Sequence, residues 1–270
     1  MNPKELRLLL PESWQDCSPI LIGTRGSIAH GTNLPTADVN ATEDIDKFAI
    51  VVFPLEYYFG REGYAKSKDS YEKKSGDLDL LVFEYRKWFN LAMRGNPNSI
   101  SWLWNAIPKY DYIDPLFRDF FIARGSFLNN NKTINALVGY SLGQRKKLDR
   151  QSKYEGFMGD RRRKLADKYG YDLKFAAHAW RLLMVTQEVL KHGTMHTYRP
   201  DNEILYIKKI KTGLVPYEEF ISEYDRALKE VRMLEKVTFT DGITKSSREV
   251  YTANLDILSQ CFLENFLSFR

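Results

Sequence analysis

The 270-residue chain is 43% hydrophobic and 28% charged, enough apolar material for a packed core at an ordinary charge content, so long disordered stretches are excluded. No apolar run approaches the ~20 residues of a bilayer-crossing helix, and residues 1–10 lack the basic start, apolar middle and cleavage site of a secretory leader. Cys17 and Cys261 are too far apart in sequence to form a metal-spaced pair, so zinc is set aside and reduced, buried thiols in the cytoplasm are expected.

In chain order, a short helix over 3–10 precedes an apolar strand over 19–24, which runs into Arg25-Gly26-Ser27. A polar loop over 29–43 leads to a strand over 45–53, whose run Ala49-Ile50-Val51-Val52-Phe53 stops at Pro54. Ser75-Gly76 reads as the hairpin turn between strands over 70–74 and 77–83. A helix over 84–94 ends at Gly95, and Asn96-Pro97-Asn98 separates it from another over 99–105. From there the pattern is helical, with helices expected over 114–123, 132–150, 173–191, 203–208, 217–234 and 245–267. Gly125 and Asn129-Asn130-Asn131 interrupt it near residues 124–131. The expected class is α/β (α+β): a small mixed sheet over 1–125, then an all-helical domain over 126–270.

The net charge of +5 is concentrated. Between Arg145 and Lys168 stand ten basic residues (Arg145, Lys146, Lys147, Arg150, Lys153, Arg161, Arg162, Arg163, Lys164 and Lys168) against four acidic ones (Asp149, Glu155, Asp160 and Asp167). Localised positive charge is the footprint of a polyanionic partner, although a solvated basic helix face reads the same way.

Three features carry chemistry. Gly26-Ser27 follows a strand directly, where a residue without a side chain lets backbone approach a phosphate and the hydroxyl can donate to it. Asp44 and Asp46, two residues apart at a strand start, point to one face. Asp79 stands on a third strand, with Asp77 as its rival on the same face. Like charges side by side want a cation between them, and magnesium takes oxygen ligands from one or two carboxylates plus substrate phosphates. Downstream, Lys174, His178 and Arg181 share one stripe of a helix that is otherwise apolar through Ala176, Ala177, Ala179, Trp180, Leu182 and Leu183. The stripe suits either a triphosphate or ion pairs with the first domain. His30 could contact substrate or pack its loop.

The string Gly26-Ser27-x-Ala29-His30-Gly31 followed by Asp44-x-Asp46 resembles the Gly-Ser…Asp-x-Asp signature of DNA-polymerase-β-type nucleotidyltransferases. Val52-Phe53-Pro54-Leu55, Glu84-Tyr85-Arg86-Lys87-Trp88 and Gly95-Asn96-Pro97-Asn98 resemble its predicted-nucleotidyltransferase branch, which includes RNA-ligase-associated polymerase-like proteins. Lys174-x-x-x-His178-x-x-Arg181 and Arg199-Pro200-Asp201 extend the likeness, which covers about residues 20–234.

The resemblance implies Asp44, Asp46 and Asp79 as catalytic metal ligands, with Mg2+ or Mn2+ as cofactor. It implies transfer of an NMP from an NTP, ATP among them, to a hydroxyl, with release of pyrophosphate. Gly26, Ser27, His30, Lys174, His178 and Arg181 are the expected nucleotide-binding residues, with the helical domain closing over the NTP. The basic segment favours a nucleic-acid acceptor, an RNA or tRNA 3′ end. AMP transfer to a protein or small molecule, and a non-catalytic nucleotide- or nucleic-acid-binding module, are the alternatives. One departure stands: sixteen residues separate Ser27 from Asp44, more than the family's usual spacing, whereas ten separate Ser27 from Asp38. Asp38 is therefore an alternative ligand, although Asn40 would be a poor second one.

Overall fold

The computed structural model describes residues 1–35, 38, 44–59, 69–128, 131–148, 160–240 and 245–268. Helix α1 (Pro3–Leu9) is nucleated by a capping box: Asn2 accepts from the Lys4 and Glu5 N–H groups while Glu5 reaches back to the Asn2 N–H. It leads into β1 (Ser18–Thr24), a five-residue helix α2 (Gly26–His30), β2 (Ile45–Val52) and α3 (Leu55–Phe59). The hairpin β3 (Ser70–Ser75) and β4 (Leu78–Glu84) follows, then α4 (Tyr85–Met93), α5 (Pro97–Ser101), β5 (Tyr110–Ile113) and α6 (Arg118–Ala123).

Among the described residues the sheet has five strands in the order β3-β4-β2-β1-β5. β2 and β4 run parallel and the other pairs antiparallel, so the sheet is mixed, as expected. Central strands β1 and β2 are buried almost throughout, from Ile20 to Thr24 and from Phe48 to Val52, because helices cover both faces. Phe48 stacks on Trp102 with ring centroids 4.3 Å apart.

Beyond residue 130 the described chain is helical: α7 (Asn131–Leu148), α8 (Asp160–Tyr169), α9 (Leu173–His192), α10 (Asp201–Lys211), α11 (Tyr217–Thr240) and α12 (Lys245–Ser268). α9 packs along α7, α10 and α11. α12 returns to the first part of the chain, where Ser259 Oγ lies 2.7 Å from the buried Tyr85 hydroxyl and Phe262 joins the rings of Tyr85, Phe117 and Phe120. Trp88 holds the middle of this aromatic cluster, where truncation to Ala would cost about 3–5 kcal/mol. No helix among the described residues is long and apolar enough to cross a membrane.

Several boundaries differ from the expectations, each for a local reason. The helix expected over 99–105 occupies Pro97–Ser101, because Pro97 sits in the first turn and Asn96 accepts from the Asn98 and Ser99 N–H groups. The helix expected over 114–123 opens as a 3-10 turn at Pro115–Phe117, capped by Asp114, before α6 begins. α10 runs from Asp201 to Lys211, longer at both ends than the 203–208 expected, and α11 extends to Thr240. β5, α2, α3 and α8 were not expected at all. Residues 149–150, the end of the helix expected over 132–150, lie outside the described residues.

Candidate active site

Strand β1 delivers Arg25 in an extended conformation, and Gly26 turns the chain with φ +69° into α2. The Arg25 N–H donates to the Asp46 carbonyl at 2.9 Å, which ties this turn to the start of β2. The fit is close: a Cβ on Gly26 would lie 2.0 Å from Asp46 Oδ2. Gly26 is thus needed both for its left-handed backbone and for the space Asp46 fills.

The parallel register sets Asp46 directly beside Asp79, and paired residues of neighbouring strands project to one face. The antiparallel hairpin sets Lys74 on the other side of Asp79, with its Nζ 3.3 Å from Asp79 Oδ2. Arg25 lies between the two carboxylates: its Nη2 is 2.6 Å from Asp79 Oδ1 and 3.8 Å from Asp46 Oδ1, and its Nε donates to the Lys47 carbonyl at 3.0 Å. Asp77, the rival to Asp79, is exposed in the hairpin turn and gives its carbonyl to the Ile45 N–H. Asp44 precedes β2 and is exposed.

Burial raises the Asp46 carboxyl above the usual range; the charges of Asp79 and Asp44 add to the rise, while Arg25 and Lys174 oppose it. A half-buried carboxylate crowded by two others is a donor set suited to a hard divalent cation, and the Arg25 guanidinium stands where such a charge would be shared. On that ground the residues fit a metal, although among the described residues no group of three or more His, Cys, Asp or Glu side chains is gathered as a ready-made metal cluster.

The basic stripe approaches from α9. Asp172 caps this helix by accepting from the Phe175 N–H, and Gly193 closes it with φ 64°. Lys174, in the first turn of α9, is close enough for its charge to act on Asp46 and on Lys211. His178 is driven down to about 3 by burial and by the charges of Arg181, Lys174 and Lys147. Burial and Arg199 lower Arg181 to about 10, which still leaves it charged at neutral pH. His30 belongs to the same cluster. Burial, then Arg181, push its pKa well below the ordinary value, and its Nδ1 lies 3.0 Å from the Thr197 carbonyl, to which it must be the donor. Neither Lys174, His178 nor Arg181 makes a side-chain hydrogen bond or ion pair among the described residues. Arg199 differs sharply: it is 2% exposed and paired with both Glu188 and Glu203. Among the described residues the stripe therefore makes no ion pair, while the neighbouring Arg199 makes two.

Ser27 opens α2 behind Gly26, and its carbonyl accepts from the Thr32 N–H at 2.9 Å. Glu84, which follows Asp79 on β4, is a helix cap: buried, it accepts from the Tyr58 hydroxyl and from the Lys87 N–H. Asp38 lies near enough for its charge to act on Lys211.

Two residues of this region escaped the sequence reading. Arg25 is one; nothing local indicates that its target is a carboxylate on another strand. Lys211 is the other: its Nζ donates to the Thr32 carbonyl at 2.7 Å, and its pKa is lowered to about 8 by burial and by Lys174 and Lys208, against the opposing pull of Asp38 and Asp46. The spacing Lys208-x-x-Lys211 in the last turn of α10 was the available signal.

The basic segment divides. Arg162 makes two hydrogen bonds to the 1%-exposed Asp172, at 2.7 and 3.1 Å, and lies over the Phe175 ring. It serves the α9 cap rather than the surface. Arg163 and Lys164 belong to α8, whereas Arg150, Lys153 and the Arg161 side chain lie outside the described residues.

The family described as RlaP, RNA repair pathway DNA polymerase beta family, matches the chain over residues 11–212. No curated protein matches it. Among solved structures, the chain is similar to a nucleotidyltransferase-like protein from Exiguobacterium sibiricum 255-15, at 12% identity over 81% of this chain and 69% of that one, with a TM-score of 0.28.

Proposed function

The chain belongs to the RNA repair pathway DNA polymerase beta family, and from that premise we propose that it transfers an NMP from an NTP to the terminal hydroxyl of an RNA. The observation that carries this reading is the meeting of a carboxylate pair with a basic stripe. Asp46 and Asp79 stand beside the Gly26-Ser27 turn, the charge of Lys174 acts on Asp46, and those of Arg181 and His178 act on His30 at the end of α2, with no ion pair to any of the three among the described residues.

The Arg181 guanidinium is partly exposed and makes no ion pair among the described residues, and a phosphate offers it two parallel acceptors. Arg181 would therefore take the triphosphate, with Lys174 nearer the carboxylates. His178 and His30, both held neutral by burial, would offer N–H groups without adding charge. Gly26 and Ser27 would present backbone N–H and hydroxyl to the phosphates. Asp46 and Asp79, with Asp44, would hold a divalent ion, Mg2+ or Mn2+, which supplies charge neutralisation at the reacting phosphate and activates the hydroxyl. In the reaction the acceptor oxygen bonds to the α-phosphorus and loses its proton, and the bond to pyrophosphate breaks. The helical segment from residue 126 onward would close the nucleotide in. The exposed basic positions of α8 would guide the RNA backbone. Both cysteines are free thiols, which suits a cytoplasmic setting, with Cys17 buried as expected and Cys261, against expectation, exposed.

Incubation with each labelled NTP, Mg2+ or Mn2+ and total RNA, with products resolved by size, tests the reading. Label extending RNA by one or a few nucleotides, abolished in Asp46→Asn, is the expected result. Label appearing on protein, or on no acceptor at all, would overturn it.

A further inference from the structure

The charge at the carboxylate pair is already balanced from within. Arg25 Nη2 lies 2.6 Å from Asp79 Oδ1 and 3.8 Å from Asp46 Oδ1, so one guanidinium serves a carboxylate on each of two neighbouring strands. We propose that Arg25 is the resident counter-ion of this pair and a gate on it: a divalent cation has to displace the guanidinium, which then turns to the phosphates of the nucleotide. The inference rests on the nucleotidyl-transfer reading of the site and adds an order to it, in which metal and nucleotide bind together and metal alone binds weakly.

Four observations support the exchange. The Arg25 backbone is pinned by its N–H to the Asp46 carbonyl at 2.9 Å, so only the side chain has to move. Besides its carboxylates, that side chain holds one neutral acceptor, the Lys47 carbonyl, whose bond to Nε at 3.0 Å is the modest part of its anchorage. Arg25 also precedes Gly26 in the turn where the phosphates are expected, so a released guanidinium stays within reach of a bidentate acceptor. Lys74, the other cation on Asp79, is 77% exposed and returns to water at little cost. A divalent ion arriving alone must therefore break the Arg25 ion pair and leave that guanidinium, only 26% exposed, without a partner. An ion arriving with a triphosphate supplies the replacement partner at the same time.

The experiment measures Mn2+ binding by the electron paramagnetic resonance of free Mn2+, using the full chain with and without α,β-methylene-ATP. Arg25→Met removes the competing charge at similar length, and Arg25→Gln keeps an N–H for the Lys47 carbonyl should the first variant fold poorly. The wild type is expected to bind Mn2+ weakly alone and at least about tenfold more tightly with the analogue; either variant should bind Mn2+ alone about tenfold more tightly than wild type and lose most of the analogue's effect. Wild type that binds Mn2+ alone as tightly as the variants overturns the gate while leaving the metal site standing. Absence of Mn2+ binding in every protein, with and without the analogue, overturns the metal-dependent reading and the gate with it.

Discussion

Asp46 Oδ2 occupies the space in which Gly26 would carry a side chain, 2.0 Å from the ideal Cβ position. The turn and the carboxylate are fitted to each other, so neither can change alone. Gly26→Ala adds a clash to a backbone held at φ +69°, and should cost about 1–3 kcal/mol of stability. Because the relief available is rotation of Asp46, transfer activity should fall further than the thermal melt implies. A variant that loses stability yet transfers normally would show that the Asp46 orientation is irrelevant to the reaction.

Asp46→Asn should separate activity from stability. Nucleotide transfer is expected to fall by roughly a hundredfold or more, the scale of a lost charge-stabilising group. Stability should move the other way. The folded-state pKa of Asp46 is raised, so its contribution is favourable below the unfolded value and is lost as pH rises through the folded value. The Asn side chain does not ionise. The variant should therefore melt above wild type at neutral pH, and the gap should close as pH falls below about 4. Melts at several pH values, beside the labelled-NTP assay, decide this.

Arg181→Met keeps length and apolar packing but removes the fork of donors. Calorimetric titration with α,β-methylene-ATP and Mg2+ should show a loss of about 1.5–3 kcal/mol, the worth of charged hydrogen bonds. The melting temperature should hold or rise, because a half-buried charge repelled by Arg199 disappears. Arg181→Lys should recover only part of the affinity, since an ammonium cannot make the planar two-point contact. Normal analogue binding with a much lower melt would make the stripe structural.

The basic run should split by residue. Arg162→Ala removes a two-point charged partner from the buried Asp172 that caps α9, and should cost about 1–3 kcal/mol of stability. Neutralising the exposed Lys164 should leave the melt nearly unchanged. It should flatten the salt dependence of RNA binding, with the slope of log K against log salt dropping by about 0.7 per lost phosphate contact. An unchanged slope would direct the search for the acceptor surface elsewhere.

The sheet and the longer helices were legible because their punctuation is chemically strong. Gly76 turns the hairpin, and Gly95 and Gly193 adopt the left-handed conformation that ends helices. β5 was missed because a four-residue edge strand with no alternating burial carries no period. Gly95-Asn96-Pro97-Asn98, the most specific string in the resemblance, is a packing device: a Cβ on Gly95 would lie 2.6 Å from the Thr133 Cα, so only glycine fits there, and Asn96 caps α5. The positions of Asp46 and Asp79 could be read from strand alternation. Arg25 could not, because its ion pair spans 54 positions and depends on a parallel register that no local pattern encodes.

The parallel pairing of β2 and β4 makes the sheet a gauge for the reaction. Neighbouring strands stand ~4.8 Å apart, so the separation of Asp46 and Asp79 is inherited from the peptide ladder rather than negotiated by loops. A slip of one residue would present Leu78 or Leu80 to Asp46 and turn Asp79 to the opposite face. The stretch between Ser27 and Asp44 can lengthen without disturbing that spacing, because β1 and β2 are held in antiparallel register from Ser18 to Thr24. Evolution could therefore vary the length of the chain between Ser27 and Asp44 while the ruler beneath stays fixed.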